Sequence, residues 1–509
     1  MKPSFTRRDF LKLGGMLPLS LAARPLSGLL PASVPTGTGP NVLIVIFDAL
    51  SALNVQMYGY ARETMPNLER LARRAIVYHQ NYAGSNFTSP GTASLLTGTL
   101  PWTHRAFQAS GRVAASRVPN NIFSAFPDYY RIAFTHNSWA QSLLNQFDGW
   151  IDEMVSRNKM YLDNFDAPIQ ELFYRDQELV DVAWTRGMKI EEGYAYSLFL
   201  SRLYQRVRDA AVEGIRKNFP RGVPMTSSRD AFLLEHAVDW LGSRLGLLPQ
   251  PFFGYFHYLP PHAPYTTSAE FYDRFAGDGF RATEKPLSDF GDTRTEAEAV
   301  QARREYDEFL LYVDKAFADL YGYLESGGYL ENTWLVVTSD HGEMFERGLI
   351  GHGGPAMYEP VVRTPLIIFE PGRKERLDVH TPSSAVDLLS TLAHVTGHVI
   401  PDWAEGKVLP PFSQEAEDDE RPILSLQARK SKADAPLTSA TIALRRGRHK
   451  LIYYLGGGGG VPESGVSLFD LVDDPEEMLD LSARMPAITA ELLSEVQDGL
   501  ERSNAALPV

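Results

Sequence analysis

The sequence predicts a large α/β fold, a three-layer α/β/α sandwich built on a mainly parallel sheet. Three observations carry this reading. Asn41–Phe47, Phe252–Phe256 and Thr333–Val337 are continuous apolar runs without polar alternation, the pattern of strands buried on both faces. Each is followed by residues able to do chemistry: Asp48, His257, and Asp340 with His341. That is where open α/β sheets bind their ligands, outside the carboxyl ends of the strands. Finally, Arg304–Glu325 repeats Tyr306, Leu310, Val313, Phe317, Leu320 and Leu324 at helical spacing before Gly327-Gly328 stops it, so its apolar stripe is a core-facing helix surface.

Composition narrows the function. The chain has 509 residues, enough for a sizeable core and more than one domain, and a formal net charge of −14. No basic block offsets that charge, which argues against nucleic acid as a partner. There is no cysteine, so no disulfide, thiolate ligand or cysteine-derived cofactor forms. Thr6-Arg-Arg-Asp-Phe-Leu-Lys12 resembles a twin-arginine export motif, and a glycine-containing apolar run, Leu13–Ala23, leads into a Pro/Gly/Ser-rich stretch ending at Pro40. Residues 1–40 are therefore read as a signal peptide and linker, with the twin-arginine export machinery as a partner and a periplasmic or otherwise exported destination. The alternative is a short basic disordered tail. The apolar run is too short to span a bilayer, and no other segment reads as a transmembrane span.

The remaining elements follow in order. Asp48 closes the first strand; a carboxylate there is a ligand or a helix cap. Pro66 opens a short helix, and Ile76-Val-Tyr78 reads as a strand. In Asn86-Phe-Thr-Ser-Pro-Gly-Thr-Ala-Ser-Leu-Leu-Thr-Gly98, Ser89 is the expected N-cap, Pro90 the first helical residue and Gly98 the stop. Thr88 then lies just ahead of a helix N-terminus, a place that favours anions. His104 is read as a pocket residue or a solvated loop histidine. Tyr130–Phe134 is the next strand, with His136 and Asn137 at its end. Residues 147–226 mix aromatic and charged residues, and Leu198–Ile215 reads as an amphipathic helix. His257 and His262 follow the 252–256 strand, and His352 lies in Gly351-His-Gly-Gly354. Arg363–Ile368 enters another strand and Asp387–Leu392 begins a helix ended by Gly397. After an acidic linker around Pro410–Pro422 come strands at Ala440–Leu444, Lys450–Leu455 and Ser467–Leu471. The run Gly456–Gly460 reads as a hairpin loop, not a phosphate cradle, because no strand–loop–helix pattern with a lysine surrounds it.

Thr88-Ser-Pro-Gly-Thr-Ala-Ser-Leu-Leu-Thr-Gly98 resembles the sulfatase signature Cys/Ser-x-Pro-Ser-Arg-x-x-Leu-Leu-Thr-Gly, which identifies the chain with the sulfatase-like branch of the alkaline phosphatase superfamily. The stretches Met57–Ala72, His257–Tyr265, Thr333–Ile368 and Asp474–Glu477 resemble the same family. Thr88 occupies the place of the Cys or Ser that becomes formylglycine, and Thr92 that of the signature Arg. A threonine there resembles phosphoethanolamine transferases and lipoteichoic acid synthases. The resemblance implies a metal-ligand role for Asp48, with Ala49 where sulfatases usually carry a second acid. It also implies an ester-contacting residue near Asn137, which is nearer the register than His136. The domains it implies are a catalytic unit over 41–409, with 147–226 as an insertion, and a small C-terminal antiparallel α+β subdomain over 423–509.

Asp48, Thr88, Asp340 and His341 come from separate strand ends, and two carboxylates, an imidazole and a hydroxyl suit one divalent cation: Zn, Mn, Ca or Mg. Coordination would make the Thr88 hydroxyl a competent nucleophile. His257, His262 and His352 are then catalytic candidates, for leaving-group protonation or, if they gather, a second zinc; His104 and Asn137 are substrate-binding candidates. The expected function is metal-dependent hydrolysis or transfer of phosphate esters through a covalent Thr88 intermediate, on a small-molecule or envelope-derived substrate. The alternatives are a sulfuric ester hydrolase without the usual formylglycine and a non-catalytic exported binding protein on the same scaffold.

Overall fold

At the centre of the molecule is β1 (Asn41–Phe47), every residue of which is buried. In this computed structural model the described residues are Pro35, 37–162, 212–226, 230–291, 294–456 and 464–507, all within one compact unit, Pro35–Val509. The export motif, most of the 198–215 helix reading and the glycine run beyond Gly456 lie outside the described residues.

Around β1 an eight-stranded sheet is assembled from β2 (Ile76–Tyr78), β3 (Tyr130–Thr135), β4 (Glu153–Met154), β5 (Phe252–Tyr258), β6 (Thr333–Thr338), β7 (Leu366–Phe369) and β8 (Leu377–Val379). Their order is β8-β2-β7-β6-β1-β5-β3-β4. β1 pairs in parallel with β5 and β6, and β3 in parallel with β5. β7 alone runs against its neighbours, β2 and β6. The register sets the site: Ile46 lies opposite both His257 and Thr338, so the ends of three central strands stop at one level. His257 is thus inside β5, not beyond it as the sequence predicts.

Alternate β1 residues face opposite helical layers, as the two-residue period of a strand requires. Leu43, Val45 and Phe47 pack with α3 (Leu234–Leu245) and α4 (Glu296–Ser326). Val42, Ile44 and Ile46 pack with α1 (Thr88–Thr97), α2 (Ser138–Gln146) and α5 (Asp387–Val395). α4 begins well before the predicted Arg304. A capping box, Thr295 with Glu298, starts it, and its first turns are polar, so they add nothing to the apolar stripe from which it was read.

The second sheet is antiparallel: β9 (Ile423–Gln427), β10 (Ala440–Arg446), β11 (His449–Leu455) and β12 (Ser464–Asp470). Ile442, Leu444, Leu451 and Leu468 pack one face against Leu492, Val496 and Leu500 of α6 (Pro486–Ala505). Ile423, Ala443, Ile452 and Phe469 pack the other against Met357, Val361 and Val362, just downstream of the His352 loop. At this junction Lys450 is buried between Glu359 and Glu477, at 2.9 and 2.8 Å.

Candidate active site

Two residues at the end of β1 shape the site. Asp48 is fully buried, and Ala49 after it takes φ +60°, a left-handed turn uncommon for a residue with a Cβ. That turn points the Ala49 N–H at Asp340 Oδ1, 3.4 Å away. Tyr306 from α4 locks it, donating from its hydroxyl to Ala49 O at 2.7 Å and accepting from Ser51 N at 3.1 Å. Ser339 ties the adjacent strand end in, donating to Phe47 O and accepting from Leu50 N.

α1 differs from its prediction in one functional detail. Its N-cap is Phe87, in extended conformation with no side-chain cap, and Thr88 is already helical; Ser89 is not the cap. The side-chain cap is missing because Phe87 carries no acceptor oxygen, and Thr88 and Ser89 are both buried in the helix's first turn. The Thr88 hydroxyl faces the strand ends, with Oγ1 3.3 Å from His341 Nε2 and 3.3 Å from Asn137 Nδ2. Thr92, one turn on, donates to Asp340 Oδ2 at 3.3 Å, so where the signature has an arginine this chain has a hydroxyl bonded to a carboxylate. Gly91 allows the approach: a Cβ there would collide with the Asp340 backbone carbonyl.

Asn137 is oriented by α2. As N-cap, its Oδ1 accepts from Trp139 N at 2.7 Å and Ala140 N at 3.4 Å, which leaves Nδ2 to donate to both Asp48 Oδ2 and Thr88 Oγ1. His136 beside it turns away, stacked on Phe232 at 4.1 Å between ring centres.

The carboxylates and imidazoles converge. His257 Nε2 is 3.2 Å from Asp48 Oδ2 and 3.9 Å from Asp340 Oδ2; His341 Nε2 is 3.4 Å from Asp48 Oδ1 and 3.6 Å from Asp340 Oδ2. Ligand atoms of Asp48, His257 and Asp340 lie within 4.8 Å of one another, the geometry of a site that could hold a metal ion. Three further features fit a cation. Asp48 Oδ1 is buried without a hydrogen-bond partner. His341 Nδ1 lies 2.9 Å from Gly342 O, so Nδ1 carries a proton and Nε2 is the ring atom turned to the carboxylates, the one a cation would take. Two buried carboxylates side by side need positive charge to remain ionised together.

The protonation pattern follows from that crowding. Burial would raise Asp48, but the fields of His262, His257 and His341 hold it well below its ordinary value. Burial and the Asp48 charge raise Asp340. Burial opposes the charge on His341, yet Asp340 and Asp48 lift it to about 9. Glu343, within the stretch Thr333–Ile368 and without a role assigned from sequence, is pushed up to about 7 by burial, and its Oε1 lies 2.9 Å from His352 Nδ1.

The structure therefore brings Asp48, Thr88, Asn137, His257, Asp340 and His341 into direct contact. His352 sits beside them, its ring 4.2 Å from that of His341, and His262 stands one ring further out, 4.9 Å from His352. His104 is elsewhere, contrary to its assignment as a substrate residue. It is buried under α1, with Nε2 3.2 Å from Ser94 Oγ and Nδ1 accepting from Ala106 N. The turn Pro101–His104 folds it inward, and burial pushes it down to about 3, so it stays neutral. Tyr255, not singled out from sequence, places its hydroxyl 3.1 Å from His257 Nδ1; its two-residue spacing from His257 on one strand face is the signal that could have found it.

The fold and the site together define a member of the alkaline phosphatase superfamily. Within it, the chain belongs to the sulfatase family, whose sequence pattern matches residues 40–398. It is 25% identical over 466 residues to a choline-sulfatase of Rhizobium meliloti (strain 1021), covering 87% of this chain and 82% of that one. It is 23% identical to a multifunctional alkaline phosphatase superfamily protein of Trinickia caryophylli, covering 74% and 78%. Among solved structures, the phosphonate monoester hydrolase of Agrobacterium radiobacter superposes with a TM-score of 0.66 at 18% identity, covering 91% of this chain and 96% of that one. Among the described residues, no helix is long and apolar enough to cross a membrane.

Proposed function

We propose that the protein is an exported, metal-dependent hydrolase or transferase of phosphate-type esters, including phosphodiesters and phosphonate monoesters, with Thr88 as covalent nucleophile. The observation that carries this reading is the environment of Thr88 Oγ1: buried, in the first turn of α1, and within 3.3 Å of both Asn137 Nδ2 and His341 Nε2. A threonine cannot become formylglycine, because oxidation of its Cβ gives a ketone that keeps the methyl group. The group that attacks is then the hydroxyl itself.

Asp48, His257, Asp340 and His341 are the residues that would hold the metal. A divalent cation bound there supplies positive charge that favours loss of a neighbouring hydroxyl proton and offsets negative charge on the ester. The chain's own groups do the rest. Thr88 Oγ1 gives up its proton to solvent and attacks phosphorus, and the bond from phosphorus to the leaving oxygen breaks. Asn137 Nδ2 donates to Thr88 Oγ1 as that oxygen gains charge, and holds Asp48 in place with the same amide. His262, at the outer end of the His341–His352–His262 series, protonates the departing oxygen. Water or an acceptor alcohol, giving its proton to His262, then attacks phosphorus from the opposite face; the bond from phosphorus to Thr88 Oγ1 breaks and that oxygen takes up a proton from solvent.

A sulfuric ester substrate is the second reading, favoured by the likeness to choline-sulfatase over most of both chains. Side-by-side turnover of aryl phosphodiester, phosphonate monoester, phosphate monoester and sulfate, with metal supplied and then chelated, separates the two. Chelator-sensitive cleavage of the phosphorus esters is the expected result; cleavage of sulfate alone overturns the phosphate reading. Export is tested separately: replacing Arg7 and Arg8 together with lysine is expected to retain the protein in the cytoplasm.

A further inference from the structure

The second sheet meets the segment that follows His352. Between Gly353–Pro355 and the ends of β9, β10 and β11 is a crevice of about 210 Å³, with Arg429 and Lys430 in its wall together with Gln427, Ser439 and Thr441. The Arg429 guanidinium stacks over the Phe87 ring at 4.7 Å and lies 6.0 Å from that of Trp139, and its Nη1 donates to Gly353 O at 2.8 Å. Each of those neighbours lies within two residues of the catalytic cluster: Phe87 precedes Thr88, Trp139 is the second residue of the helix that Asn137 caps, and Gly353 follows His352.

Arg429 is also electrically unusual. In a chain of net charge −14, no carboxylate among the described residues pairs with Arg429, Lys430 or Lys432. Two aromatic faces and a carbonyl fix the guanidinium, while among the described residues its remaining side-chain N–H groups have no hydrogen-bond partner. A cation held rigid without a counter-charge, beside a site for anionic esters, matches an oxyanion group better than a structural partner.

We propose that this crevice, with Arg429 as its anchor, binds a second oxyanion group carried by the organic part of the ester, so that the preferred substrates are dianionic. The inference rests on the ester-cleavage reading above. Arg429 recognises the distal anion with the N–H groups that Gly353 O leaves unused, Lys430 adds charge, and the Phe87 and Trp139 rings hold the guanidinium close to the residues that flank Thr88 and Asn137.

The test compares uncharged aryl phosphonate esters with a series bearing a sulfonate on the ring, attached directly or through one to three methylenes. In the wild type, kcat/KM is expected to favour at least one sulfonated ester, and Arg429→Gln to lower that preference roughly ten- to a hundredfold, the value of charge-assisted hydrogen bonds. Arg429→Lys should keep part of it. A preference that is absent in the wild type, or unchanged in Arg429→Gln, overturns the proposal. Calorimetry with benzenesulfonate and the matching disulfonates gives the same comparison without turnover: equal affinities across the series overturn the subsite. Wild-type protein that binds the disulfonates more tightly yet cleaves no ester leaves the subsite standing and overturns the catalytic reading instead.

Discussion

Thr88 Oγ1 lies 3.3 Å from His341 Nε2, although 253 residues separate them in the chain. That distance is set by α1 descending on the end of β6, and it requires Gly91 to pass directly over the Asp340 carbonyl. Gly91→Ala should therefore force the helix away from the strand ends. A loss of about 1–3 kcal/mol in stability is expected, as for overpacking, with activity falling further than stability because the nucleophile moves. Denaturant unfolding and turnover of the same sample check this; unchanged values for both contradict it.

Asn137 joins two functions, capping α2 with Oδ1 and holding Asp48 and Thr88 with Nδ2. Replacing it with Asp keeps a cap acceptor but removes the donor and sets a second negative charge against Asp48. Asn137→Asp is expected to lower kcat by roughly 10²–10³-fold, the scale of a lost oxyanion donor, while the protein stays folded. A variant with wild-type kcat shows that the amide takes no part in turnover.

His104 makes the fold sensitive to acid. Burial pushes it from the ordinary 6.5 to about 3. A depressed value means that the folded state disfavours the proton, so the stability from the neutral ring is full above pH 6.5 and is lost as pH falls toward 3. At pH 5 the loss is about 2 kcal/mol relative to pH 7. His104→Gln, which cannot titrate, should lose about that much less between the same two pH values in denaturant unfolding. Equal losses in both proteins contradict the assignment.

Lys450 is almost wholly buried with two buried carboxylates, Glu359 and Glu477, where the C-terminal sheet meets the segment after the His352 loop. Lys450→Met leaves both carboxylates without their cation and is expected to cost about 3–5 kcal/mol. If the melting temperature is unchanged, the pair does not depend on the lysine.

Much of the site was legible because buried parallel strands announce themselves. β1, β5 and β6 are unbroken apolar runs, and Asp48, His257, Asp340 and His341 stand at their ends. Asn137 was legible only through the family resemblance, as the residue at the end of a strand nearer the register than His136. His104 was not, because nothing local says that the turn at Pro101 folds under α1 rather than over it. The antiparallel direction of β7 depends on pairing with two strands distant in sequence, which an apolar run does not encode. Arg429 was hidden for the same reason: its aromatic partners, Phe87 and Trp139, are separated from it by hundreds of residues. The early start of α4 was readable from Thr295 and Glu298, but a search for an apolar stripe passes over a polar capping box.

The central claim is that the Thr88 hydroxyl attacks the ester. Its most direct test is metal-supplied turnover of an aryl phosphodiester or phosphonate monoester by Thr88→Ala, in protein shown to unfold at the wild-type denaturant midpoint. The account predicts a loss of at least about a thousandfold in kcat, as for removal of other catalytic nucleophiles. Turnover near the wild-type rate would mean that water or another side chain attacks the ester, and that the buried hydroxyl beside His341 and Asn137 is structural.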